Sequence, residues 1–133
     1  MTKIISEIGW NHMGDMNLAK EMISASKENG ADFVKFQTWS VDRLKKGPWD
    51  TDGRLDIYKK AELTTEQHFE LYEYSNKVGI NFFSTPFSIE DCEILKSVQS
   101  KFVKIASFES TNRELLEYCD RNFDTLFIST GTK

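Results

Sequence analysis

Five short runs rich in β-branched and aromatic residues, separated by longer amphipathic stretches, constrain this chain more than any other feature of its sequence. The runs cover residues 4–8, 32–38, 81–85, 102–107 and 125–130, and each is close to continuously apolar. A strand with one solvated face alternates apolar and polar residues, whereas a strand covered on both faces reads as an unbroken apolar run. Alternation of such runs with helical segments is the pattern of βαβ units around a parallel sheet, which places the chain in the α/β class.

Helix punctuation supports the same division. Leu18, Met22 and Ala25 share a face, and Gly30 stands where a helix C-terminal cap belongs. Thr64 and Gln67 form a capping-box pattern ahead of Phe69, Leu71 and Tyr72, and Gly79 closes that helix. Ser88 with Asp91 opens a third helix, and Thr111 with Glu114 opens a fourth, whose Leu115, Leu116 and Cys119 are expected to face the sheet. The count expected is therefore five strands and four helices. Residues 40–63 form the longest connection, with Gly47, Pro48 and Gly53 among charged residues and the aromatics Trp49 and Tyr58. Connections of that length are commonly lids or mobile segments.

Composition excludes several classes. The 133 residues fit one domain, with 39% hydrophobic and 29% charged residues, and no apolar run approaches the length of a membrane span. The start, MTKIISEIGW, carries a Lys and a Glu within its apolar stretch, unlike a secretory signal, so a cytoplasmic first strand is expected. A net charge of −4 argues against nucleic acid as a partner. The basic cluster from Arg43 to Lys46 is followed by Asp50, Asp52 and Asp56 and is read as a solvated loop. Cys92 and Cys119 lie in helical segments without metal-ligand spacing and are expected to be reduced, buried thiols. His12 and His68 are far apart and make poor metal ligands, so no metal site is expected within the chain.

In a barrel of parallel strands, chemistry is placed at the strands' carboxyl ends. Polar residues stand there on every run: Glu7, then Lys35 and Gln37, then Ser84 and Thr85, then Lys104, Ser107 and Glu109, then Ser129 and Thr130. Lys35 and Lys104 each interrupt an apolar run, and a buried ammonium is costly unless paired. Two readings stand side by side. One is a structural salt bridge to Glu7 or Glu109, and the other is a pair of cations that receives a small dianion. Lys35 and Gln37 share a strand face, whereas Lys104 and Ser107 act together only if a bulge or turn ends their strand.

The segments SEIGWNHMGD, LAKEMISASKENGADFVKFQT, FFSTPFS, VKIASFEST and ISTGT, in this order, resemble the N-acetylneuraminate (sialic acid) synthase family, which includes pseudaminic and legionaminic acid synthases. The likeness runs from Ile4 to Thr132. It implies a TIM-type (β/α)8 barrel of which residues 1–133 form the N-terminal portion, since a whole barrel takes about 250 residues. It also implies condensation of phosphoenolpyruvate with an N-acylated hexosamine to a nonulosonic acid and phosphate, in a homodimeric enzyme. A divalent metal, Mn or Mg, is implied as cofactor, with ligands on later strands and a small domain after the barrel.

By the same resemblance, Lys35, Thr85, Lys104, Ser107 and Ser129 stand at phosphoenolpyruvate-contacting positions, and Gln37 and Glu109 at sugar-contacting ones. Glu7 takes the acidic position of the first strand. Glu7 or Glu109 is the expected catalytic carboxylate, with the division between them open. Phe108 stands where sialic acid synthases often carry Gly and is similar to the pseudaminic branch. Two other readings compete: a non-catalytic fragment or binding module that pairs with a partner chain, and a complete doubly wound sheet that binds an anion without condensation. Strand order separates the last of these from a barrel.

Overall fold

The computed structural model describes residues 1–131; Thr132, the last residue of the ISTGT motif, lies outside the described residues, as does Lys133. Five strands, β1 (Ile5–Gly9), β2 (Phe33–Thr38), β3 (Asn81–Pro86), β4 (Phe102–Ile105) and β5 (Thr125–Ile128), form one parallel sheet in the order β1-β2-β3-β4-β5. A doubly wound sheet reverses direction at a switch point, and none occurs here, so the sheet is the sequential arc of a partial barrel.

Five helices cross between the strands: α1 (Met16–Glu28), α2 (Arg54–Ala61), α3 (Thr65–Val78), α4 (Ile89–Ser97) and α5 (Arg113–Asn122). The expected count was four. The extra helix, α2, is short and charged, RLDIYKKA, and lies within residues 40–63, which also hold two single 3-10 turns. That segment is therefore structured. Gly14 secures one end of it: with φ +81°, a Cβ there would sit 2.1 Å from the Lys60 carbonyl oxygen, so only glycine lets α2 approach the loop after β1.

Caps explain the helix starts. Asp15 accepts from the backbone N–H groups of Asn17 and Leu18, Thr64 and Gln67 complete a reciprocal capping box, and Ser88 accepts from Asp91 N–H. For α5 the cap is Asn112, not Thr111; its Oδ1 accepts from Leu115 N–H. Phe69 is 41% exposed and does not belong to the buried stripe of α3, which is His68, Leu71 and Ser75.

The two faces of the sheet differ. Toward the helices, Val34, Phe36, Phe82, Val103 and Ile105 pack with Ile23, Leu71, Cys92, Leu95, Leu115 and Cys119 into the core. On the other face a strict two-residue period sets one polar group after one apolar one: Ile5 then Glu7, Phe33 then Lys35, Phe83 then Thr85, Phe102 then Lys104, Phe127 then Ser129. The four phenylalanines form a ring cluster, with Phe33 5.7, 5.1 and 5.9 Å from Phe83, Phe102 and Phe127 between centroids. This aromatic floor lies one step below the polar groups on four consecutive strands.

The candidate anion site

Parallel register brings the polar layer together, since Glu7 lies opposite Lys35, and Gln37 opposite Thr85. The Lys35 ammonium, on a residue only 6% exposed, donates to Thr85 Oγ1 at 2.8 Å and Phe36 O at 3.3 Å, and pairs with Glu7 Oε2 at 3.0 Å. The Lys104 ammonium donates to Ser129 Oγ at 2.6 Å and to Ile105 O at 2.8 Å. Burial pushes the pKa of Lys35 down, against the pull of Glu7. Lys104 is also pushed down, by burial first and then by the positive charge of Lys35, with Glu7 opposing. Each ammonium therefore sits in a place that penalises its charge, and the two feel one another.

β4 ends at Ile105, short of the expected Ser107, and β5 ends at Ile128, short of Thr130. The early end of β4 has a geometric consequence. Ser107–Glu109 is a 3-10 turn, which frees Ser107 from the strand's alternation, and Ser107 Oγ lies 3.6 Å from where a Cβ on Gly131 would stand, beside the end of β5. The strand-end residues thus form two bonded groups, Glu7–Lys35–Thr85 and Lys104–Ser129, that influence one another through charge, and Ser107 lies at the same end of the sheet.

Glu109 lies apart from this group. Its carboxylate is buried, accepts from Asn112 Nδ2 at 2.6 Å, and pairs with Lys45 at 3.5 Å. Asn112 thus does two jobs, capping α5 with its oxygen and fixing Glu109 with its amide. Of the two carboxylates considered as partners for the strand lysines, Glu7 serves Lys35, and Glu109 is held from outside the sheet.

The basic side chains of residues 43–46 are exposed, as expected of a solvated cluster, but two of them pair with buried carboxylates. Arg43 pairs with Asp91, which is 1% exposed and also accepts from Phe87 N–H, while Lys45 reaches Glu109. With Trp39 Nε1 donating to Tyr58 O at 3.2 Å, these contacts fasten residues 40–63 over the strand ends. Beneath them is a cavity of about 680 Å³, lined by Gln37 and Glu109, by Arg43 and Lys45, and by Trp10, Trp39, Trp49, Tyr58, Phe87 and Phe108. Sequence reasoning missed this wall because its contacts join residues nearly 50 positions apart, as in Arg43 and Asp91. One signal was available: the Phe-x-Lys, Phe-x-Thr, Phe-x-Lys and Phe-x-Ser spacing marks the inner face of β2 to β5.

Both histidines are buried on other duties. His68 Nδ1 donates to Thr64 O at 2.7 Å, so its Nε2 accepts from Thr38 Oγ1 at 2.9 Å, which in turn accepts from Ser84 at 2.7 Å. His12 Nδ1 accepts from Gly14 N–H at 3.0 Å. Burial lowers the pKa of both, keeping them neutral. Among the described residues no group of three or more His, Cys, Asp or Glu side chains converges as a metal site, so these residues do not fit a divalent metal. Also among the described residues, no helix is long and apolar enough to cross a membrane.

Two lysines beside hydroxyl groups thus stand at the carboxyl ends of sequential parallel strands, the end that carries the chemistry in barrel-type α/β folds. Residues 22–133 match the NeuB family, and the chain belongs to it. It is 39% identical, over 97% of its length, to pseudaminic acid synthase of Helicobacter pylori. It is 40% identical, over 96% of its length, to N,N'-diacetyllegionaminic acid synthase of Legionella pneumophila. The N-acetylneuraminic acid (sialic acid) synthetase of Leptospira borgpetersenii, in complex with citrate, superposes with a TM-score of 0.85 at 33% identity over 98% of this chain. The chain spans 41% and 39% of the two synthases and 45% of the Leptospira protein.

Proposed function

We propose that this chain is the phosphoenolpyruvate-binding portion of a nonulosonic acid synthase, an enzyme that joins phosphoenolpyruvate to an N-acylated hexosamine. The observation that carries the reading is the pair of strand-end ammoniums, Lys35 buried and Lys104 half-buried, each bonded to a hydroxyl and each pushed down in pKa by burial, with the charge of Lys35 adding to the push on Lys104. An arrangement that costs energy when empty is relieved by a ligand bearing two negative groups, and phosphoenolpyruvate carries a phosphate and a carboxylate. Membership of the NeuB family and likeness to synthases of pseudaminic and legionaminic acids support the choice.

In this reading Lys35 and Lys104 hold the two anionic groups, with Thr85, Ser107 and Ser129 as hydroxyl donors. The aromatic floor keeps water from below, which strengthens each charge interaction. Gln37 and Glu109 face the sugar. The methylene carbon of phosphoenolpyruvate forms a bond to the aldehyde carbon, whose oxygen becomes a hydroxyl by taking up the proton that the carboxylate draws from the attacking water. Water adds to the carbon bearing phosphate, Glu7 or Glu109 takes the water's proton, and phosphate departs with the oxygen that joined it to carbon. Glu7, already bonded to Lys35, lies nearer the phosphoenolpyruvate end, and Glu109 nearer the cavity. A divalent metal cofactor would take its ligands from beyond these residues, and no step is routed through it.

The test is calorimetric titration of phosphoenolpyruvate into the chain and into Lys35→Ala and Lys104→Ala. The expected result is modest, salt-sensitive binding that either substitution abolishes. Equal affinity in all three proteins removes the lysines from the site.

A second reading, a binding module completed by a partner chain, rests on the sheet edges. Ile5 on β1 and Ile128 on β5 are 39% and 48% exposed, an apolar margin suited to further strands. Ultracentrifugation distinguishes it: a chain monomeric at micromolar concentration, with phosphoenolpyruvate bound, counts against obligatory pairing.

A further inference from the structure

Two buried nucleophilic groups take no part in the strand-end chemistry. Cys92 on α4 and Cys119 on α5 are free thiols, both 0% exposed, and their Sγ atoms lie 3.6 Å apart across the helix pair. Their neighbours in sequence are joined as well, since the Tyr118 hydroxyl donates to the Glu93 carboxylate. Cys92 and Glu93 thus meet Cys119 and Tyr118 in mirrored order, and two adjacent contacts fix how the helices face. A buried cysteine commonly serves as a small apolar side chain, but that duty does not require two sulfurs to meet. Nor do the thiols begin a metal centre, because among the described residues no third ligand joins them.

The sulfurs of a disulfide are about 2.05 Å apart. The two Sγ atoms therefore have about 1.5 Å to close, a gap that rotation of both side chains about χ1 spans while the helices stay in place.

We propose that Cys92 and Cys119 form a redox clasp, a dithiol that a low-molecular-weight disulfide converts to an intrachain disulfide tying α4 to α5. Cys119 reacts first. The hydrogen bond from Cys92 lowers its pKa, while the same bond and burial push Cys92 up. The Cys119 thiolate attacks one sulfur of the oxidant, whose S–S bond breaks, and the departing thiolate takes up the proton that Cys119 gave. Cys92 then loses its proton and attacks Cys119 Sγ in the mixed disulfide, expelling the second small thiol. The dithiol has lost two electrons and two protons, and one small disulfide has become two thiols. With both cysteines buried, the first step waits for α4 and α5 to part, and the bulky mixed disulfide is resolved as they return to the core. The closed loop spans 27 positions and contains β4 and the Ser107–Glu109 turn, so the clasp restrains the unit that carries Lys104 without touching it.

The experiment incubates the chain in buffers of oxidised and reduced glutathione, alkylates the remaining thiols, and reads the intact mass and the urea unfolding midpoint. In the oxidising buffer the chain is expected to become a monomer that has lost two hydrogens, carries no glutathione and takes up no alkylating reagent. The sequence holds two cysteines, so that species is the Cys92–Cys119 disulfide. Its urea midpoint is expected to lie about 1 M above that of the reduced chain, the scale set by a loop of this length, and dithiothreitol is expected to remove the gain. The midpoints of Cys92→Ala and Cys119→Ala are expected not to respond to the buffer; if either fails to fold, the mass and midpoint of the unaltered chain decide alone. Thiols that stay free after several unfolding times, a glutathione adduct as end product, chains linked to one another, or a disulfide-bonded chain no more stable than the reduced one each overturns the proposal. None of these measurements involves phosphoenolpyruvate, so their outcome is independent of the synthase reading.

Discussion

Replacing Lys35 by Met asks whether the buried ammonium is there for stability or for a ligand. Methionine matches the length of the lysine stem and has no charge to desolvate. The substitution removes the burial penalty and the repulsion of Lys104, both of which depress these lysine pKa values. It leaves Glu7 without a partner, but that side chain is 54% exposed and water can solvate it. The buried Thr85 hydroxyl loses one donor, a cost of about 1 kcal/mol. Replacing a whole buried ion pair by apolar groups is often neutral or gains up to about 4 kcal/mol, and here Lys35 is the one buried member, so no charge is left stranded. With the Thr85 loss subtracted, a net gain of about 1 kcal/mol is expected for the empty chain. At a urea m-value of about 2 kcal/mol per molar, the unfolding midpoint rises by about 0.5 M. Phosphoenolpyruvate should reverse the ranking, because a ligand at a hundred times its Kd stabilises the unaltered chain by about 2.7 kcal/mol and gives the variant nothing. The assay is urea unfolding followed by tryptophan fluorescence, with and without phosphoenolpyruvate. A variant that is less stable than the unaltered chain when empty, and equally stabilised by the ligand, would refute the reasoning and restore Lys35 as a structural ion-pair member.

Three further outcomes are expected. His12 and His68 have pKa values lowered by burial, so unfolding releases them to take up protons near their ordinary pKa; stability is fully present above about pH 7 and declines as the pH falls toward their folded values. Urea midpoints that do not fall between neutral pH and mild acid would contradict this. Cys92 and Cys119 are buried with Sγ atoms 3.6 Å apart, and the hydrogen bond to Cys119 together with burial pushes the Cys92 thiol up, so a thiol reagent should label them only as fast as the chain unfolds; labelling within seconds under native conditions would contradict it. Finally, residues 1–133 assayed alone with phosphoenolpyruvate, N-acylated hexosamine and manganese should bind the former without turnover, because β1 and β5 are not paired to one another and the inner face stays open to water; sustained phosphate release would overturn that expectation.

The strands were legible in the sequence because burial on both faces writes itself as unbroken apolar runs, and the lysines stood out because they broke two of those runs. Their partner was not legible. Glu7 and Glu109 are equivalent candidates on paper, and only the parallel register that sets Glu7 opposite Lys35 decides between them. Helix α2 escaped notice because its eight residues include only one buried side chain, Ala61, and so show little periodic contrast. The start of α5 was misplaced by one residue because Thr111 and Asn112 are both good caps, and the choice fell to Asn112 through Glu109, a tertiary contact. The cavity wall was illegible for the same reason: nothing in the sequence shows that an exposed basic cluster has buried acidic partners.

The two-residue period of the inner face divides the chain by its tolerance of insertions and deletions. Within Phe33–Thr38 a single lost or added residue would turn Lys35 into the helix layer and bring a core side chain to face the ligand, and no later strand could correct the error, since each strand takes its register from its neighbour. Residues 40–63 obey no such parity. They are held by separate pairs of side chains, so they can lengthen, shorten or change composition while the strand-end lysines stay in place. Evolution, or a designer wishing to reshape the cavity, has its free variable there, one loop away from a reading frame that cannot slip.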